Sequence, residues 1–101
     1  MSLSSKPLNP TGGLKMELTL EYHQDPAHGW LKVPQKIIND LGIAGEITQY
    51  SYKDVMNGYL EEDCDMSLFM QKAKLAGFSV ILVDKFTNHD SSIRNLPRWK
   101  V

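Results

Sequence analysis

Cysteine is nearly absent: Cys64 stands alone in 101 residues, so no intrachain disulfide can form and packing has to hold the fold. A lone thiol also points to a reducing compartment, and the expected location is the cytoplasm. Long apolar runs are missing as well. The longest wholly apolar stretch, Val80 to Val83, is far below the roughly 20 residues that a bilayer crossing needs, and no basic start leads into an apolar segment of the secretory kind. Charge of one sign is also lacking. Lys and Arg number 11, Asp and Glu 12, and the net charge is -1, so the overall balance advertises neither a nucleic-acid binder nor a membrane-surface protein. No internal repeat, phosphate-binding Gly loop, dinucleotide fingerprint, Gly-x-Ser-x-Gly elbow or His-Glu-x-x-His string occurs, and no small-molecule substrate or cofactor suggests itself.

What is present suits one small domain: 42% of the residues are hydrophobic, enough for a single core and too few in total for two. Residues 1–14 carry Ser, Pro, Asn, Thr and Gly with scattered leucines and read as a disordered leader, because they bury too little to offset their ordering entropy. From Lys15 the chain alternates, with Met16, Leu18, Leu20 and Tyr22 on one face and Glu17, Thr19 and Glu21 on the other. This is the period of a half-buried strand. His23 to Gly29 breaks it with Pro26 and Gly29, and Trp30-Leu31-Lys32-Val33 reads as a second strand ended by Pro34, a residue suited to a helix's first turn.

Ile37, Ile38 and Leu41 then form a helical stripe, and Gly42 sits where a left-handed C-cap residue is wanted. Glu46 to Tyr52 alternates again and predicts a third strand with its tyrosines inward. A hairpin turn within Lys53 to Gly58 leads into Tyr59-Leu60-Glu61. Met66, Phe69, Met70, Ala73 and Ala76 repeat at helical spacing before Gly77, with Asp63 or Asp65 as the cap. Phe78 to Asp84, apolar and β-branched, predicts a strand covered on both faces or central in the sheet. The order β-β-α-β-β-α-β implies an α+β fold over residues 15–90, two-layered, with about five mostly antiparallel strands and two helices on one face. Residues 91–101 form a basic tail. Pairing of the last strand in parallel through the second helix would be right-handed.

The strings His28-Gly29-Trp30-Leu31-Lys32-Val33-Pro34, Tyr50-Ser51-Tyr52 and Tyr59-Leu60-Glu61-Glu62-Asp63-Cys64-Asp65 resemble those of a group of short uncharacterised bacterial proteins, some plasmid- or phage-borne. The resemblance covers roughly Trp30 to Gly77 and brings no activity or site residue with it. It implies a small accessory or interaction protein.

Three stretches carry chemistry. Glu61, Glu62, Asp63 and Asp65 could ligate Mg2+ or Ca2+, but no Asp-x-Asp-x-Asp-Gly loop accompanies them; capping and solvation explain them more simply, with a basic partner as the alternative. Cys64 at a helix start could be a nucleophile, yet its four acidic neighbours disfavour the thiolate. His23, Asp25 and His28 share one turn and could touch a metal, although ordinary turn residues are the plainer reading. In the tail, Arg94, Arg98, Trp99 and Lys100 mix cations with an aromatic as single-strand binders do; the plainer reading is that Trp and Leu pack on the domain and leave the charges in water, with a protein partner as a further alternative.

On the second helix Leu68 and Leu75 lie opposite the main stripe, among Ser67, Gln71, Lys72 and Lys74. They point to a protein partner or a homodimer. The expected function is therefore a non-enzymatic interaction module using Leu68, Leu75, Glu61 and Glu62, with a nucleic-acid accessory protein as the alternative and no metal assigned.

Overall fold

The computed structural model describes residues 16–100; the leader expected over residues 1–14 lies outside that range. Five strands and two helices follow one another as β1 (Met16–Gln24), β2 (Gly29–Pro34), α1 (Gln35–Asp40), β3 (Tyr52–Lys53), β4 (Asn57–Glu61), α2 (Asp65–Leu75) and β5 (Phe78–Phe86). They form one mixed sheet of order β3-β4-β2-β1-β5, antiparallel except where β5 runs parallel to β1. This is the α+β class that the pattern implies.

Both helices cover one face. Leu20 of β1, Leu31 and Val33 of β2 and Leu60 of β4 meet Ile38 of α1 and Phe69 and Ala73 of α2 in the main core, as the periodicities require. Gly42 closes α1 with φ +74 and Gly77 follows α2 with φ +93, a backbone region that glycine enters without steric cost. The β3–β4 turn is built on Asp54, whose carboxylate accepts the backbone N–H groups of Met56 and Asn57 and the Tyr59 hydroxyl. The hairpin stands where its Asp, Asn and Gly put it.

Three expectations need correction. The run Glu46–Tyr52 is not a strand: a single 3₁₀ turn spans Ala44–Glu46, and only Tyr52–Lys53 pairs with β4. Ile47 is buried without any ladder and Tyr50 is 52% exposed. The cause is Asp65, which is buried and draws that loop inward by accepting the Thr48 N–H at 3.1 Å, the Thr48 hydroxyl at 2.7 Å and the Ser51 hydroxyl. Consequently neither Asp63 nor Asp65 caps α2; Cys64 holds the cap position without a side-chain bond. Finally, β5 is neither central nor covered on both faces. It is an edge strand, and Ile81, Leu82, Val83 and Phe86 are exposed; a short apolar run carries no information about its place in the sheet order.

The C-terminus, residues 91–100, is a strap packed on the domain, with Trp99 and Leu96 against its cores as the plainer reading of those residues expects. A 3₁₀ turn at Ser92–Asn95 places Ile93 and Leu96 against Trp30, Tyr52 and Tyr59 in a second small core on the face opposite the helices. The strap then runs beside β3, with Lys53 N–H donating to the Pro97 carbonyl, Trp99 N–H to the Ser51 carbonyl, and Tyr52 bridging Arg98. Trp99 reaches round to the main core, where its indole N–H donates to the Ala44 carbonyl at 3.0 Å.

Gly58 makes that seat. A Cβ there would stand 2.7 Å from Ile38 Cδ1 and 2.9 Å from Trp99 Cζ3, closer than packed atoms tolerate. Gly58→Ala is therefore expected to cost about 2 kcal/mol and to expose the strap to proteolysis; urea unfolding with limited digestion of the folded variant checks both.

Candidate functional site

The sheet face opposite the helices holds a cleft of about 420 Å³, within the size range of ligand and peptide sites. Its floor is Trp30 of β2 with Tyr52 of β3, whose rings meet edge to face at 6.2 Å. The strap lines it with Arg94 and Arg98, and the β4–α2 junction with Glu61, Asp63 and Cys64; His28 and Tyr50 complete the lining. Residues from three separate sequence stretches thus line a single space.

Each guanidinium is positioned by a stack and a hydrogen bond. Arg94 lies over the Trp30 ring with Cζ 5.3 Å from its centroid, while its Nε and Nη2 donate to Asp25 at 2.7 and 3.1 Å. Arg98 lies over Tyr52 at 5.0 Å and donates from Nη1 to the Gln49 carbonyl. Cation–π stacking and hydrogen bonding together hold a planar cation in one orientation. Arg98 retains donors that no described residue accepts.

Asp25 is the anchor behind Arg94. Its side chain is wholly buried and accepts from the N–H groups of Ala27, His28 and Ser91 as well as from Arg94. The ion pair with Arg94, followed by those backbone bonds, holds its carboxyl well below the usual range despite burial. The turn considered for a metal is thus the tie that fixes the strap. His23 bonds Glu21, His28 opens onto the cleft, and among the described residues no three His, Cys, Asp or Glu side chains converge as a metal set.

On the acidic wall Glu61 is buried, its Oε1 accepting from the N–H groups of Asp63 and Cys64 at 3.1 Å. Glu62 faces the other way, exposed, and accepts the Tyr22 hydroxyl at 3.0 Å; burial and then that carboxylate push the Tyr22 pKa up to about 12. Desolvation, and after it the charges of Glu61, Asp65 and Asp63, raise the Cys64 thiol above its ordinary pKa. That direction is the opposite of what a nucleophilic cysteine needs.

Of the other residues singled out in the sequence, Leu68 packs half-buried against the main core and Leu75 is 77% exposed at the end of α2. Trp99 and Lys100 turn away from the cleft, Lys100 towards the Gly45 carbonyl. Trp30 and Tyr52 were missed as site residues. The signal for Trp30 was there: with Leu31 and Val33 on the helix face, alternation puts Trp30 and Lys32 on the opposite one.

Trp30 also holds the cleft's one anomaly. The residue is 2% exposed, and its indole N–H has no acceptor among the described residues. Searches of family models, curated proteins and solved structures find no match to this chain. No helix among the described residues is long and apolar enough to cross a membrane.

Proposed function

We propose that this chain is a small non-enzymatic protein-interaction module of the cytoplasm, of the accessory kind implied by its resemblance to short bacterial proteins. Its cleft receives a short segment of a partner protein. The observation that carries this reading is the lining itself: aromatic floor, one cationic wall with Arg98 donors that no described residue accepts, one acidic wall, and a buried indole donor with no acceptor among the described residues. Such a lining matches a segment with an aromatic or apolar side chain between a carboxylate and a basic group, the carboxylate on Arg98 and the base on Asp63 beside Glu61. Leu75, exposed, is left for a further apolar contact, and the acidic surroundings that raise the Cys64 thiol favour a binding role over nucleophilic chemistry.

The test is a peptide-display selection on the immobilised full chain. Enrichment of acid-aromatic-base sequences on the wild type that is lost on Arg98→Glu is the expected result; equal enrichment on both overturns the reading. Single-stranded nucleic acid is the second reading, favoured by the exposed pair Tyr50 and Arg98 at the cleft. Arg94, Trp99 and Lys100, however, all make their contacts within the domain. It predicts salt-sensitive binding of a short oligonucleotide that Arg98→Glu abolishes.

A further inference from the structure

The chain treats its two sheet edges differently. The strap bonds to β3 and covers that edge, whereas β5, nine residues long, has β1 on one side and no described residue on the other. Gly77 O and Thr87 N bond towards β1, so the odd-numbered residues of β5 point their main-chain groups inward. The N–H and C=O groups of Phe78, Val80, Leu82, Asp84 and Phe86 therefore point outward, an open template for another strand. Apolar exposure gathers there too: of nine exposed large hydrophobic residues among those described, Met16, Ile81, Leu82, Val83 and Phe86 lie on β5 or beside it.

We propose that β5 pairs antiparallel with β5 of a second copy of this chain, centred on Leu82, to form one continuous sheet across a two-fold axis. This rests on the free edge, not on the cleft, so either proposal can fail alone. Centring on Leu82 pairs the full length of both strands and exchanges about ten main-chain hydrogen bonds. On the helix face it extends existing rows. Leu20 pairs with Leu82, and the row continues into Leu82 and Leu20 of the second copy; Met16 pairs with Phe78, and Phe86 of the second copy, 64% exposed in the single chain, covers both.

The open face supplies charge complementarity. There Ser79 stands beside Glu17 of β1, and centring on Leu82 sets Lys85 of the second copy on the far side of Ser79. Two strand spacings separate Glu17 from that Lys85, about 10 Å between backbones, which the two side chains span over the small serine. The symmetry makes this ion pair twice. Ile81 meets Val83 between them, the kind of β-branched cross-strand pair that stabilises a sheet. Centring on Asp84 instead would set two like charges face to face.

Sedimentation of the full chain over a wide concentration range tests this. A concentration-dependent dimer is expected. Leu82→Pro, which removes an outward N–H and spares the bonds to β1, should leave a folded monomer by circular dichroism. Lys85→Glu should weaken the dimer about tenfold by replacing attraction with repulsion, and adding Glu17→Lys should restore it. A chain that stays monomeric up to about millimolar concentration overturns the proposal, and so does a dimer indifferent to the charge swap and its reversal.

Discussion

Asp25→Ala is expected to lower the unfolding free energy by about 3 kcal/mol at pH 7, since removing one member of a buried ion pair leaves the other uncompensated. Arg94 keeps 29% of its side chain exposed, which places the figure at the lower end of that class. The loss is compounded because the same carboxylate closes its own turn through Ala27 and His28 and holds Ser91 at the strap's start. For a domain of this size the midpoint should fall by roughly 15 °C. The pH dependence has a definite sign. Arg94 holds the Asp25 pKa below its unfolded value in the folded chain, so the stabilisation is fully present above about pH 4 and is lost as pH falls through the folded value. Wild type and variant should therefore differ most near neutrality and converge as acid is added. Urea unfolding at pH 7 and pH 3 measures both; a difference that is constant or grows in acid contradicts the ion-pair explanation.

The second large effect belongs to Asp65. Alanine there strands the Thr48 N–H and deprives the Thr48 and Ser51 hydroxyls of their acceptor in a buried site, at an expected cost of about 3 kcal/mol. The consequence extends to the cleft. Ser51 Oγ also accepts the Glu61 N–H, and the Ser51 carbonyl accepts from Trp99, so one serine links the core acid to the β4–α2 wall and to the strap. Hydrogen exchange should show Thr48, Ser51 and Trp99 amides losing protection together in Asp65→Ala, while β1 and β2 keep theirs. Asp65→Asn, which retains one carbonyl acceptor, should cost less than half as much. If alanine and asparagine are equally mild, the carboxylate is not what shapes the loop.

These two acids show where sequence reading stopped. The β1 alternation, the α1 stripe ending at Gly42, the α2 stripe through Phe69 and Ala73, and the Asp54 turn are all local patterns, and each was legible from its own few residues. Asp25 and Asp65 act across 69 and 17 positions respectively. Nothing in a short window distinguishes a capping aspartate from one that a distant loop will surround. Ile47 looked like a strand residue because burial and ladder pairing leave the same apolar mark. The β5 run was ambiguous for the same reason, since Val80 to Val83 suits a sheet centre and also suits an edge that a second copy covers. The cleft suffered most, for its walls come from a turn, a strand-to-helix joint and the strap, each unremarkable alone. Only Trp30 could have been found, because alternation with Leu31 and Val33 puts it on the face away from the helices.

The most direct measurement of the recognition role is an NMR titration of the full chain with a peptide from the display selection, following the Trp30 indole N–H and the Arg98 Nε–H signals. Saturable movement of both, the indole shifting as a donor that gains an acceptor, is the predicted result. Saturable binding that moves other resonances and leaves these two in place would contradict it.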